Sequence, residues 1–251
     1  MNENPQNDVP QFSKPFGNKL VELTDISPGA TVLDVGMGNG TATFFPAVER
    51  VGEHGQVIGI DISDEMVRQT QGKIKKDNLC NALVIKTDAK SLIFKDNTFD
   101  VVLSGFSYLY TTFEEIVRVL KEGGQFGLTT WKRLEDEEWM VSFIKEYVPL
   151  TGGLSYCDTE DGLKKLLQKA GFVNIKVITE EEVFVYRNEE QWWEEMQEGW
   201  RNHLKKIEEM GPGKLEEFKE NAFKELQAHT RDDGLHVHVS ALISFGTKRS
   251  R

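Results

Sequence analysis

A short apolar run, Val32-Leu33-Asp34-Val35, leads into Gly36-Met37-Gly38-Asn39-Gly40-Thr41. Glycines at a strand-to-helix turn let a ligand approach the backbone and leave amide N–H groups free at the helix start. Twenty-one residues after Gly40 the run Gly59-Ile60-Asp61 ends in an acid. A carboxylate at that place can accept two hydrogen bonds from ribose hydroxyls. A dinucleotide loop reads G-x-G-x-x-G, whereas this one reads G-x-G-x-G, with Asp34 two residues ahead of its first glycine. A carboxylate there repels a pyrophosphate and suits an ammonium or a sulfonium. The chemistry indicated is the binding of a nucleoside with a cationic tail rather than NAD or ATP.

The elements around this bend must position it. Thr31–Val35 is a short β-branched run, and similar runs recur at Gln56–Ile60, Ala82–Ile85, Val101–Leu103 and Phe126–Thr130. Helical patterns at Asp64–Lys75 and Glu114–Lys121 separate some of them. Strand and helix in alternation predict a parallel sheet covered on both faces, with right-handed crossovers and a doubly wound order. A short helical pattern around Asn18–Thr24 precedes the first strand, and polar residues 1–15, with Pro5, Pro10 and Pro15, read as a loose arm.

After Trp131 the rhythm changes. Lys132–Gly153 reads as mixed and helical, Thr159–Ala170 as an amphipathic helix, and Phe172–Ile178 and Glu182–Tyr186 as strands, with a last strand at Leu235–Phe245. Between them Trp192, Met196, Trp200, Leu204 and Ile207 share one helix face; Gly211-Pro212-Gly213 breaks the run, and Leu215, Phe218, Ala222 and Leu226 form a second stripe. This helical hairpin either packs its stripes on the main domain or also lines an apolar pocket through Trp193 or Trp200.

The chain has 251 residues, and its 41 acids against 30 bases give a net charge of −11, which disfavours DNA, RNA backbone or anionic membrane as main partner. From Glu180 to Gln227, 14 acids and seven bases supply −7 of that charge. Cys80 and Cys157 are the two cysteines, too few for a disulfide framework and outside any CxxC or Cys/His cluster, so no metal site is expected. No apolar run approaches the ~20 residues of a membrane span, and the N-terminus lacks a signal-peptide core. A cytoplasmic location is expected.

The run VLDVGMGNGT at residues 32–41 resembles the first motif of the class I S-adenosylmethionine-dependent methyltransferases, and GIDIS at 59–63 resembles the second. Lys86-Thr87-Asp88-Ala89, Asn97 to Ser104, and Arg118-Val119-Leu120-Lys121-Glu122-Gly123-Gly124 follow in family order, so that the likeness covers roughly residues 20–131. In character it is similar to the small-molecule branch around the ubiquinone/menaquinone C-methyltransferases. Leu92-Ile93-Phe94 stands where Leu-Pro-Phe is usual and Glu122 where proline is common. Neither place touches the cofactor in the family's pattern.

The resemblance implies an α/β fold: a doubly wound, Rossmann-like seven-stranded sheet of the methyltransferase type, with a helical hairpin inserted before the last strand. The domains expected are an arm at 1–15, an S-adenosylmethionine-binding core at 16–179, a helical cap at 180–230, and the last strand with the C-terminus at 231–251. Carried over by position, Gly36 and Gly38 back onto the methionine portion of S-adenosylmethionine, and Asp34 orients the loop and helps bind the amino group. Asp61 holds the ribose and Ile62 covers one adenine face. Asp88 accepts from the adenine amino group beside the Ala89 backbone, and Ser104 offers its carbonyl near the ammonium.

The expected function is methyl transfer by in-line displacement to a small apolar or aromatic acceptor. The alternatives are a protein that binds S-adenosylmethionine without turnover, in a regulatory or assembly role, and an RNA methyltransferase. The amino-methyltransferase signature of the family, Asn/Asp-Pro-Pro-aromatic, is replaced by Ser104-Gly105-Phe106-Ser107, which argues against N-methylation of adenine or glutamine. The pattern fixes no catalytic base, no methylated atom and no oligomeric state. His203, beside the Trp200 and Leu204 stripe, and Tyr108, which with Phe106 and Tyr110 follows the fourth strand, are the candidates for pocket chemistry.

Overall fold

The computed structural model describes residues 12–107, 112–132, 158–199 and 201–250. Five strands carry the first half: β1 (Thr31–Val35), β2 (Gln56–Asp61), β3 (Ala82–Lys86), β4 (Phe99–Gly105) and β5 (Leu120–Trp131). They are joined by α1 (Ser13–Leu23) before β1, then α2 (Phe44–Val51), α3 (Asp64–Lys76) and α4 (Phe113–Val119). α5 (Glu160–Lys169) and β6 (Phe172–Tyr186) follow. Next come α6 (Glu189–Gly199), α7 (Arg201–Glu209), α8 (Lys214–Leu226), the two-residue β7 (Thr230–Arg231) and β8 (Gly234–Lys248).

The sheet order is β3-β2-β1-β4-β5-β8-β6, with β7 paired to β8 as an eighth strand. β1 pairs in parallel with β2 and β4, as do β2 with β3 and β4 with β5, whereas β8 runs antiparallel to β5. This is the doubly wound, Rossmann-like arrangement. Its order reverses between β1 and β4, and the crevice at their carboxyl ends is the place where such sheets bind ligands.

The central strands β1 and β4 are buried on both faces and so read as continuous apolar runs. Leu33 and Val35 of β1 and Val102 of β4 face a cluster with Phe113, Ile116 and Val119 of α4 and Leu163 and Leu167 of α5. Val32 of β1 and Val101 and Leu103 of β4 face the opposite cluster, with Leu20 and Val21 of α1 and Phe44, Val48 and Val51 of α2. By the period of two along a strand, Asp34 shares the side of Val32. It is a fully buried carboxylate on an otherwise apolar face.

Several boundaries differ from the sequence pattern. α1 starts at Ser13, inside the expected arm, because Pro15 lies in a first turn that needs no N–H from it. Leu120 and Lys121 belong to β5 rather than to the preceding helix. Phe172–Tyr186 is one strand where two were expected, and three helical segments stand where a two-helix hairpin was expected. The segment expected as helical at 132–153 lies outside the described residues beyond Lys132, as do Trp200 and Cys157.

Among the described residues the chain divides into two units, one of 13–107, 112–132, 158–180 and 241–250, the other of Phe12, 181–199 and 201–240. The second unit has its own core, in which Trp192, Met196, Leu204 and Ile207 meet Phe218, Ala222, Leu226, Leu235 and Val237. Trp193 is taken up in that core, against Phe218 and Phe223, rather than standing free on the surface. Inside it the Tyr186 hydroxyl donates to Glu195 Oε2 at 2.6 Å, and the Phe12 N–H donates to Glu195 Oε1. No helix among the described residues is long and apolar enough to cross a membrane.

Candidate functional site

β1 ends where Asp34 is locked. Thr43 Oγ1 donates to Asp34 Oδ2 at 2.6 Å, and Asp34 Oδ1 is buried with no hydrogen-bond partner among the described residues. Burial pushes this carboxyl up to about 7; the Thr43 bond opposes the rise and the charge of Asp61 adds to it. A buried acceptor left open disfavours the ligand-free state and is satisfied by a donor, best of all a cationic one.

The glycine bend follows, with Gly36, Gly38 and Gly40 at φ of +71°, +57° and +79°. These left-handed backbones are what the sequence spends its glycines on. At Gly36 a Cβ would fall 2.1 Å from Ser107 Oγ, whereas at Gly38 it would meet nothing within 4 Å. Gly36 therefore lets the segment after β4 close against the bend, and Gly38 presents bare backbone to open space.

The amides of the bend are not the free donors expected of it. Gly36 and Met37 N–H donate to Ile60 O, Gly40 N–H to Met37 O, Thr41 N–H to Asn39 Oδ1, and Gly38 N–H to Asp61 Oδ2 at 3.0 Å. The reason is local: residues 41–43 form a turn between the bend and α2, so the helix starts only at Phe44. A bend with five of its six N–H groups engaged internally makes a poor phosphate cradle, in keeping with a cationic rather than an anionic ligand.

Asp61 binds the bend to the next strand. Besides Gly38 N–H it accepts Ser63 N–H at 2.9 Å, and Ser63, not Asp61, caps α3 through its hydroxyl. Thr87 N–H donates to Asp61 O, which brings the end of β3 alongside. Ile62, the residue after β2, is an apolar side chain that stands 68% exposed. Asp88 is exposed and accepts Lys90 N–H at 2.9 Å, and Ala89 packs partly on the core. Ser104 is fully buried inside β4, and its hydroxyl donates to Val35 O at 3.0 Å.

The structure thus gathers Asp34, Gly36, Gly38 and Asp61 at the ends of β1 and β2. Asp88 and Ala89 follow the neighbouring β3, and Ser104 lies on β4. Tyr108 and the side chain of His203 lie outside the described residues.

Thr43, Trp131 and Phe16 escaped the sequence reading, which places Phe106 after the fourth strand but gives neither its backbone nor its stacking partner. Thr43, nine residues after Asp34, holds that carboxyl through its hydroxyl. Phe106 has φ of +55° and stacks on Trp131 with ring centroids 3.9 Å apart, and Phe16 meets both rings edge-on. Their signal was the placement of Phe106 and Trp131 at the ends of two adjacent strands, visible only once those strands pair.

Residues 32–124 match the family described as methyltransferase domain. The nocamycin O-methyltransferase of Saccharothrix syringae is 38% identical over 124 residues, 47% of this chain and 44% of that protein. A demethylmenaquinone methyltransferase of Bacillus cereus is 29% identical over 191 residues, 66% of this chain and 80% of that one. The chain spans about half the length of the first curated relatives it matches. Among solved structures the YcgJ protein from Bacillus subtilis aligns with a TM-score of 0.64 at 18% identity, over 94% of this chain and 100% of that one, a likeness of fold.

Proposed function

We propose that the chain, whose residues 32–124 match a methyltransferase domain, is a class I S-adenosylmethionine-dependent methyltransferase that transfers a methyl group by in-line displacement to a small apolar or aromatic acceptor. The observation that carries this reading is the buried, unpartnered Oδ1 of Asp34 beside the bend that Gly38 leaves bare. That combination fits a ligand with a positive charge lying against backbone. When bound, S-adenosylmethionine supplies a methyl carbon activated by a positively charged sulfur.

The chain's own residues bind and orient. Asp34, held by Thr43, faces the ammonium of the methionine portion together with the Ser104 carbonyl. Gly36 and Gly38 back that portion, the first by letting Ser107 close against the bend and the second by leaving room where a side chain would stand. Asp61 keeps lone pairs for the ribose hydroxyls while its Gly38 and Ser63 bonds fix its rotamer. Ile62 covers one adenine face, and Asp88 with the Ala89 backbone meets the adenine edge. Alignment of two reactants in a dry site supplies much of the rate of such a displacement. Tyr108 and His203 are the residues to test for taking a proton from the acceptor. The names of the relatives, an O-methyltransferase of nocamycin and a methyltransferase of demethylmenaquinone, support a small organic acceptor.

The test is calorimetric titration with S-adenosylhomocysteine and with NAD, followed by incubation with S-adenosylmethionine and a panel of phenols and hydroquinones. Micromolar binding of S-adenosylhomocysteine, no binding of NAD, and S-adenosylhomocysteine formed with at least one acceptor are expected. Binding of NAD in its place overturns the reading. Tight binding with no product from any acceptor assigns the chain a binding role without turnover.

A further inference from the structure

We propose that the stacked rings of Phe106 and Trp131 are a shelf on which the methyl acceptor lies, and that the acceptor lays a flat conjugated ring on it. The inference rests on the methyltransferase reading and deepens it by naming the residues that select the acceptor.

Phe106 is held in a conformation its side chain does not favour. Among the described residues four that are not glycine have positive φ: Asn78, Asn97, Asn174 and Phe106. Asparagine tolerates the left-handed region because its short amide can bond locally, whereas a bulky ring gains nothing from it. The surroundings enforce it, since Phe106 N–H donates to both Thr129 O and Thr129 Oγ1 at 3.1 Å. Strain of this kind persists where the fold over-determines it, and it clusters at ligand sites.

What the strain achieves is the placement of a ring. Phe106 lies on Trp131 with centroids 3.9 Å apart and planes 26° apart. Phe16, almost fully buried, meets each of them edge-on at 6.1 Å and backs the pair. Trp131 nevertheless remains 40% exposed. The position is continuous with the cofactor site: the next residue, Ser107, fills the space beside Gly36, and both rings stand at the carboxyl ends of β4 and β5. The exposed part of Trp131 offers offset stacking to a planar ring, which a saturated ring of the same size cannot use.

The experiment compares 2-naphthol with decahydro-2-naphthol, binding to the full chain saturated with S-adenosylhomocysteine, by ligand-observed NMR. The saturated alcohol is the more hydrophobic, so a merely apolar pocket binds it at least as well. A stacking shelf favours 2-naphthol by roughly three- to tenfold. Trp131→Leu and Phe106→Gly should bring that ratio to within about twofold while leaving S-adenosylhomocysteine affinity within about threefold. Glycine accepts the φ of +55° freely, so Phe106→Gly removes the ring without straining the backbone, and a melting curve checks both variants. No preference in the parent chain, or a preference kept by a folded variant, overturns the shelf and leaves the methyltransferase reading standing. Loss of S-adenosylhomocysteine binding in the parent chain removes that reading and the shelf with it.

Discussion

Thr43 Oγ1 donates to Asp34 Oδ2 at 2.6 Å, and the other oxygen of the same carboxyl is buried with no partner among the described residues. The pair is a half-satisfied buried acid. With its carboxyl pushed up to about 7 by burial, Asp34 carries a proton in much of the ligand-free protein at neutral pH.

A cationic ligand favours the carboxylate, so binding must expel that proton. The affinity for S-adenosylhomocysteine should fall as pH drops below about 7, by at most about tenfold for each unit. Calorimetry in buffers of different ionisation enthalpy should show proton release near pH 6.5. An affinity flat from pH 5.5 to 8 with no proton release removes Asp34 from the ligand.

The same group sets an opposite trend in stability. Its folded value lies above the ordinary 3.8, so its contribution is fully present below that pH and is lost as pH rises through about 7. Asp34→Asn should therefore stabilise the ligand-free chain at pH 8, by about 2–4 kcal/mol, and give no gain at pH 4. It should also abolish most of the thermal shift caused by S-adenosylhomocysteine. A variant that melts lower than the parent at pH 8 contradicts the burial argument.

Gly36 and Gly38 have similar backbones and different surroundings, which separates folding from binding. Alanine at Gly36 would bring its Cβ to 2.1 Å from Ser107 Oγ at a φ of +71°, a loss of roughly 2–4 kcal/mol. Alanine at Gly38 meets nothing within 4 Å and carries only the left-handed penalty, about 1–2 kcal/mol. Gly38→Ala should keep most of its melting temperature yet bind S-adenosylhomocysteine at least about tenfold more weakly, because its methyl enters the ligand's space. Unchanged binding by Gly38→Ala would mean that the open space is solvent.

Asp61 both ties Gly38 N–H and, in the proposed site, holds ribose hydroxyls. Asp61→Ala should weaken S-adenosylhomocysteine on the order of 10- to 100-fold. The two roles part when the ligand is changed as well. A 3′-deoxyribose analogue should lose affinity for the parent chain and lose little more for Asp61→Ala. Equal losses in both proteins assign Asp61 to the loop alone.

The first five strands, the glycine bend and its two acids were legible because their signals are local: β-branched runs, glycines at fixed spacing, and an acid at a strand's end. The length of α1 was hidden because a proline in a first turn is silent about the residues before it. The spent amides were hidden because whether Gly38 N–H is free depends on the rotamer of Asp61, 23 residues away. The Phe106 backbone and its Trp131 stack depend on the pairing of β4 with β5, which sets Gly105 against Thr129. Periodicity within either segment says nothing of that register.

Arg118 is a further group whose role only the fold reveals. Its guanidinium bonds both oxygens of Glu115 at 2.6 and 2.7 Å, Phe94 O at 2.7 Å, Leu92 O at 2.9 Å and Asp96 Oδ1 at 2.9 Å. Glu115 in turn accepts Leu92 N–H at 2.7 Å, and the Arg118 bond holds its carboxyl below the usual range. One fork on α4 thus pins residues 92–96, the segment that follows Asp88 and Ala89. Lysine keeps the charge and cannot reproduce that fork, so Arg118→Lys should cost about 1–2 kcal/mol after allowance for its partial exposure. Amide exchange at Leu92 should quicken, and S-adenosylhomocysteine should bind a few-fold more weakly because the adenine edge of the site loosens. A change in exchange without any change in affinity would detach Asp88 and Ala89 from the nucleoside, since a ligand that rests on that loop must feel its release.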